Sequence, residues 1–270
     1  MSTRARVIVA IGPAAPDSPA LVAAAQLARA AGAELAALFV EDINLLRLAE
    51  LPFAFEIGAA SATMRRVVAS EVEHALKRQA GELRRALAEA VHGAQLDWTF
   101  GTVRGRPVRV LLEASAEGDL VVLASSAVRT LAHTELAGAL RAAMSAISPG
   151  VKPQKARPIA VALRLAPGAL RALAAAHRLA RANATELVLF VAQRDADGRQ
   201  LLTAVDAWLA EHHASARIVP LPETTPAHIV ELVAGEDPAV LFWPGNHVQE
   251  VSPEIEALLE AIRCPLVVVR

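Results

Sequence analysis

The sequence predicts an α/β protein. It should form two tandem, doubly wound parallel-sheet domains of Rossmann-like build, the second shorter than the first. Three observations carry this. The chain is duplicated: sliding it by 152 positions lays Val9 on Val161, Leu27-Ala28-Arg29-Ala30 on Leu179-Ala180-Arg181-Ala182, and Glu34-Leu35 on Glu186-Leu187 without a gap. That period is too long for a solenoid, so each copy should be a small domain. Aliphatic runs alternate with helical patterns, which gives parallel sheets covered on both faces. Apolar residues make up 54% of the 270 and aromatics only 3%, so the core must be Ala, Leu and Val. Those residues build alanine-rich helices close-packed on aliphatic strands.

The elements follow in order. Residues 7–11 are a continuous aliphatic run, as a strand buried on both faces requires. Residues 12–16 (GPAAP) cannot extend it. Asp17 or Ser18 can cap a helix whose first turn tolerates Pro19, and Gly32 stops that helix after Ala31. Residues 34–40 form the next strand, and the crossover should be right-handed. Residues 41–60 are extra to the repeat and gather Leu45, Leu46, Leu48, Leu51, Phe53 and Phe55. They read first as a lid over the protein's own core, and alternatively as a docking surface for a partner or a second copy. A helix is predicted over 62–92, with mixed charges on a solvated face. A strand over 95–103, a helix over 107–116, a strand over 119–123 and a helix over 131–147 complete the first domain, residues 1–148.

Residues 149–157 (PGVKPQKAR) read as a linker, because prolines, a glycine and basic residues cannot build a core. The second domain, 158–270, repeats the order. Helices are predicted near 201–213, 226–234 and 253–262, and strands near 217–219, 239–242 and 266–269. Here the repeat returns with an offset of 118, which lays Asp119 and Val122 on Asp237 and Val240.

Composition bounds the function. A net charge of -1, with arginines scattered among acids, leaves no footprint for nucleic acid. The single cysteine, Cys264, excludes an intrachain disulfide and a multi-cysteine zinc site, and reads as a small buried hydrophobe. No run approaches the roughly 20 apolar residues of a membrane helix, and residues 1–6 do not resemble a leader. The expectation is a cytoplasmic protein without membrane contact.

The pieces VIVAIG, ALVAAAQLARAAGAELAALFV, GTVRGRPVRVLLEASAEGDLVVLAS and the terminal RCPLVVVR resemble the universal stress protein family in its tandem form. The resemblance implies a strand order of 3-2-1-4-5 in each domain. Ligands would then bind outside the carboxyl ends of strands one and four, where the order reverses. It also implies a soluble stress-response protein that forms a homodimer or meets another protein partner, and that takes a small-molecule ligand.

The ATP-binding branch of that family carries three glycines and a hydroxyl residue after strand four. Here those positions hold Ala124, Ala127, Ala137 and Gly138, and Gly12 replaces the acid at the end of strand one. Added methyl groups occupy space that phosphate needs against bare backbone. In the second half the equivalent positions read as Phe242, Gly245, Pro253 and Glu254, with Arg164 closing strand one. Phe242 would fill a cleft, and Glu254 would repel phosphate.

The candidate ligand cleft is therefore Gly12, Val40, Arg104, Ala124, Ser125, Ser126, Ala127 and Gly138. Ser125 and Ser126 with Arg104 and Arg106 could hold an anion, or else cap a turn and sit solvated. His133, His212-His213 and His247 read as surface or turn histidines rather than ligands or bases, since no nucleophile or acidic cluster accompanies them. The expectation is a non-catalytic regulatory protein with no cofactor and no metal. The alternative is an adenine-nucleotide sensor that holds ATP or AMP in the first cleft. A nucleotide-hydrolysing enzyme is a third reading, supported by fold analogy alone.

Overall fold

The computed structural model describes residues 5–11, 19–51, 53–57, 64–92, 96–124, 157–166, 168–192, 196–221, 225–245 and 253–270. In the first half the chain runs β1 (Arg6–Ile11), α1 (Pro19–Ala31), β2 (Glu34–Asp42), α2 (Ile43–Glu50), β3 (Phe55–Ile57), β4 (Met64–Arg66), α3 (Ala69–His92), β5 (Trp98–Gly105), α4 (Pro107–Ala114) and β6 (Leu120–Leu123). The second half has β7 (Ile159–Leu163), α5 (Ala169–Asn183), β8 (Leu187–Ala192), α6 (Ala196–Glu211), β9 (Arg217–Leu221), α7 (Pro226–Glu236), β10 (Val240–Pro244), α8 (Pro253–Ala261) and β11 (Leu266–Val269). The helix expected over 131–147 lies outside the described residues.

The two halves share one nine-stranded sheet, ordered β5-β2-β1-β6-β11-β10-β7-β8-β9. Within this sheet, every pairing inside either half is parallel. The second half has the expected 3-2-1-4-5 order, and the first has 3-2-1-4. At the seam β11 runs antiparallel to β6, with Val267 opposite Val122. One strand therefore serves as the fifth for both halves. Residues 149–153 lie outside the described residues, and the sheet joins the two halves through β11.

Helices cover both faces. α1, α3, α5 and α6 pack on one through Leu21, Leu27, Leu87, Leu173 and Leu179. α4, α7 and α8 pack on the other through Leu111, Ile229 and Leu258. α1 and α5 meet across the seam, where Asn183 Nδ2 donates to Gln26 Oε1 at 3.3 Å. Small alanines at positions 24, 25, 28, 172, 175 and 176 are buried and allow this close approach.

The repeat is visible in its caps. Gly32 ends α1 at φ 59°, with Ala33 N–H bonded to Ala28 O and Gly32 N–H to Arg29 O. Ala184, its equivalent, ends α5 at φ 51° with the same pair of bonds, Thr185 to Ala180 and Ala184 to Arg181. Both are the paired closing bonds that satisfy orphan helix carbonyls.

Two expectations need correction. The helix predicted over 62–92 begins only at Ala69, because Met64–Arg66 is a strand paired antiparallel with Phe55–Ile57. The 118 offset is also two residues short. Leu120 pairs with Val7, and Val240 pairs with Ile159, the equivalent of Val7, so the strands align at an offset of 120. Asp237 caps α7 in a left-handed conformation, and Pro238-Ala239 are two extra residues before the strand begins.

Candidate functional site

The doubly wound order reverses between β1 and β6 in one half and between β7 and β10 in the other. Crevices belong at the carboxyl ends of those pairs.

In the first crevice, Val9 pairs with Val122, so Ala124, two positions on, comes level with Ile11, whose other partner is Phe39. Val40 follows Phe39 directly. The register thus places Ile11, Val40 and Ala124 towards the same edge of the sheet. Ala124 is exposed, whereas Val40 is fully buried inside β2. Gly12, Ser125, Ser126, Ala127 and Gly138 lie outside the described residues, as do His133, Ala137 and His247.

Arg104 is fully described, and its guanidinium is occupied. It stands opposite Glu41 across the β2–β5 ladder. Its Nε donates to Glu41 Oε2 at 2.7 Å, and its Nη2 to Glu73 Oε1 at 3.0 Å. The hydrogen bonds it donates to Glu41 and then Glu73 hold its pKa above the ordinary arginine value. Glu41 is one of two buried charged residues among those described, and Arg104 is its compensation. Two of its donor groups, Nε and Nη2, are thus committed to carboxylates. Arg106 is exposed and stands at the N-cap of α4 without a side-chain cap bond.

The second crevice is filled by the protein's own groups. Arg164 leaves the end of β7, the position that Gly12 holds in the first half. Its Nη1 donates to Glu254 Oε2 at 3.1 Å, and its guanidinium carbon lies 4.7 Å from the centre of the Trp243 ring. Such stacking on an indole face is a favourable cation–π arrangement. Glu254 sits in the first turn of α8, where a carboxylate also suits the helix dipole.

Behind this lid the backbone closes up. Gly245 N–H bonds Val269 O at 2.9 Å, and a Cβ on Gly168 would lie 3.3 Å from Val269 O and 3.4 Å from Gly245 O. The expected role of Phe242 changes with the corrected offset. Pro244, not Phe242, is the equivalent of Ala124 in the repeat, and Phe242 is a fully buried core residue matching Val122. The aromatic that meets Arg164 is Trp243, one residue on, itself buried in the core. Sequence reading missed it, although Arg164 at the strand end and Glu254 after it were the available signal.

His212 stacks on Trp208 with ring centres 4.0 Å apart, and its Nδ1 lies 2.9 Å from Trp208 O of the same helix segment. His177 meets the edge of the same indole, and burial pushes its pKa below the ordinary value. These are packing interactions. Among the described residues no three His, Cys, Asp or Glu gather in a way that could hold a metal, and no helix is long and apolar enough to cross a membrane.

The fold defines an α/β protein with a nine-stranded, mostly parallel sheet flanked by helices. A universal stress protein from Archaeoglobus fulgidus DSM 4304 superposes on it with a TM-score of 0.55 at 13% identity, over 97% of this chain and 98% of that one. A functionally unknown protein from Pseudomonas aeruginosa PAO1 matches 99% of this chain and 92% of its own at 13% identity, with a TM-score of 0.45. The chain thus has the universal stress protein fold. No protein-family model matches the sequence, and no curated protein matches it.

Proposed function

We propose that this chain is a non-catalytic, cytoplasmic regulatory protein of the universal stress protein type. It works through protein contacts or an adapted small ligand, and it does not hold ATP in the usual way. The observation that carries this reading is the Arg164–Glu254–Trp243 cluster seated in the second crevice. A nucleotide there would have to break an ion pair and a ring stack, and its phosphates would face Glu254. At the end of β5, Arg104 is already paired with Glu41 and Glu73. The methyl group of Ala124 stands where the nucleotide-binding branch keeps bare backbone.

The test is direct. Gently purified protein is denatured, its supernatant is analysed for released nucleotide, and ATP is titrated calorimetrically. Neither bound nucleotide nor heat of binding is expected. Stoichiometric ATP or AMP would overturn the reading in favour of a nucleotide sensor, and turnover would favour an enzyme. The double change Ala124→Gly, Ala127→Gly should raise ATP affinity if the lost glycines are the obstacle.

A further inference from the structure

The insert of the first half leaves large apolar side chains in water. β3 and β4 form a separate two-stranded sheet in which Phe55 lies opposite Arg66. Side chains alternate faces along a strand, so Phe55, Arg66 and Met64 share one face. That face is open: Phe55 is 53% exposed and Met64 68%. Phe53, at 69%, and Leu48, Leu51 and Val68 are exposed as well. Backbone bonds from Leu51 N to Leu48 O, Ala54 N to Leu51 O and Val67 N to Ala54 O draw the end of α2, the turn and the hairpin into one surface. The expectation of a lid folded over its own core does not describe these side chains.

The surface is large enough to need a cover. Two phenylalanines of roughly 150–250 Å² each and four smaller apolar side chains, each about half exposed, leave on the order of 500 Å² of apolar area in water, towards the upper end for a monomer's largest patch. With a polar rim this approaches the ~800 Å² a side of a standard interface. A two-stranded hairpin is also marginal by itself and gains most from having its apolar face packed.

We propose that this surface is where two copies of the chain pack face to face across a two-fold axis. A two-fold contact must be self-complementary. Charges of both signs border it, exposed Arg47 and exposed Glu50, so the acid of one copy can meet a base of the other. A net charge of -1 gives little repulsion between copies. The inference rests on the protein-contact reading above and gives that contact an address. The two fail separately, because one is read as bound nucleotide and the other as mass.

The test is sedimentation velocity of the full chain. At about 50 μM, within reach of a standard-size interface, a species of twice 28.4 kDa is expected. Phe55→Ser with Met64→Ser should weaken dimerisation at least about tenfold. Leu165→Ser, at an exposed apolar residue elsewhere, should leave it unchanged. Circular dichroism checks folding. Should the double variant not fold, Met64→Cys treated with a bismaleimide decides: a covalent dimer is expected, with buried Cys264 silent. A wild-type monomer at that concentration, a dimer indifferent to the double change, no covalent dimer from Met64→Cys, or a monomer that binds anionic vesicles would each overturn the proposal.

Discussion

Val267 of the last strand lies opposite Val122 of the first half, antiparallel, and both side chains sit in the core beneath α1 and α5. This pair joins two halves that could otherwise unfold separately. Because β11 completes both, the chain should melt in a single calorimetric transition. Val267→Ala should cost about 2 kcal/mol, the loss of two buried methyl-sized groups plus a small cavity. It should lower the whole transition rather than split off the second half. Two resolved transitions in the wild-type protein would contradict a shared strand.

Asp119 ties the start of β1 to the start of β6. Its carboxylate accepts from the Arg6 backbone N–H at 3.2 Å, from Arg6 Nη2 at 2.6 Å and from Ala116 N–H at 2.8 Å. The hydrogen bond to Asp119 raises the Arg6 pKa. In the second half Arg157 Nη2 pairs with Asp237, but there both partners are exposed. Asp119→Asn should therefore cost about 2 kcal/mol in urea unfolding, as expected for charge-assisted bonds to a buried acceptor. Asp237→Asn should cost no more than about 0.5 kcal/mol. Equal losses at the two sites would mean that burial is not what distinguishes them.

The contrast between these aspartates explains what the sequence could and could not reveal. The strands were legible because residues such as 7–9 and 159–163 are aliphatic without interruption, a pattern that follows from burial on both faces. The α1 boundary was legible because Gly32 has a conformational reason to be there. The hairpin was not legible, since Met64-Arg65-Arg66 continues the charge pattern of α3 without a break. Nor was the register of β10. Asp119 and Asp237 look equivalent in a repeat, but only pairing with β7 reveals that Pro238-Ala239 displace the strand by two residues. The Arg164–Trp243 stack joins residues far apart in the chain, and no local pattern encodes such a contact.

Ala184 occupies the left-handed conformation that glycine fills at position 32. A Cβ is strained there by roughly 1 kcal/mol, so Ala184→Gly should stabilise the protein. Its looser unfolded chain offsets part of the gain. A net rise of about 0.5 kcal/mol is expected by denaturant unfolding. Gly32→Ala should lower stability by a similar or larger amount. A loss on Ala184→Gly would show that the methyl group makes a packing contribution larger than its strain.

Cys264 is buried, and burial pushes its thiol up to about 11. The thiolate is the reactive form, so native protein at pH 8 should label with a maleimide or disulfide reagent far more slowly than unfolded protein. Time courses with and without denaturant measure this. Rapid labelling of the native chain would mean that the β11 region opens readily, and cooperative unfolding through that strand would then be wrong as well.

Gly245 follows β10 where a crevice would open, and a methyl group there has no room. Its Cβ would lie 2.9 Å from Val269 O and 3.0 Å from Val268 Cγ1. The oxygen belongs to backbone that is itself held by the Gly245 N–H, so neither partner can yield cheaply. Gly245→Ala should therefore cost about 1–3 kcal/mol through overpacking, measured by urea unfolding. The outcome bears on function as well as stability. Tolerance of alanine within ~0.5 kcal/mol would mean that the end of β10 stands open. The second crevice would then have space for a ligand beside Arg164, and the claim that the protein's own groups fill it would fall.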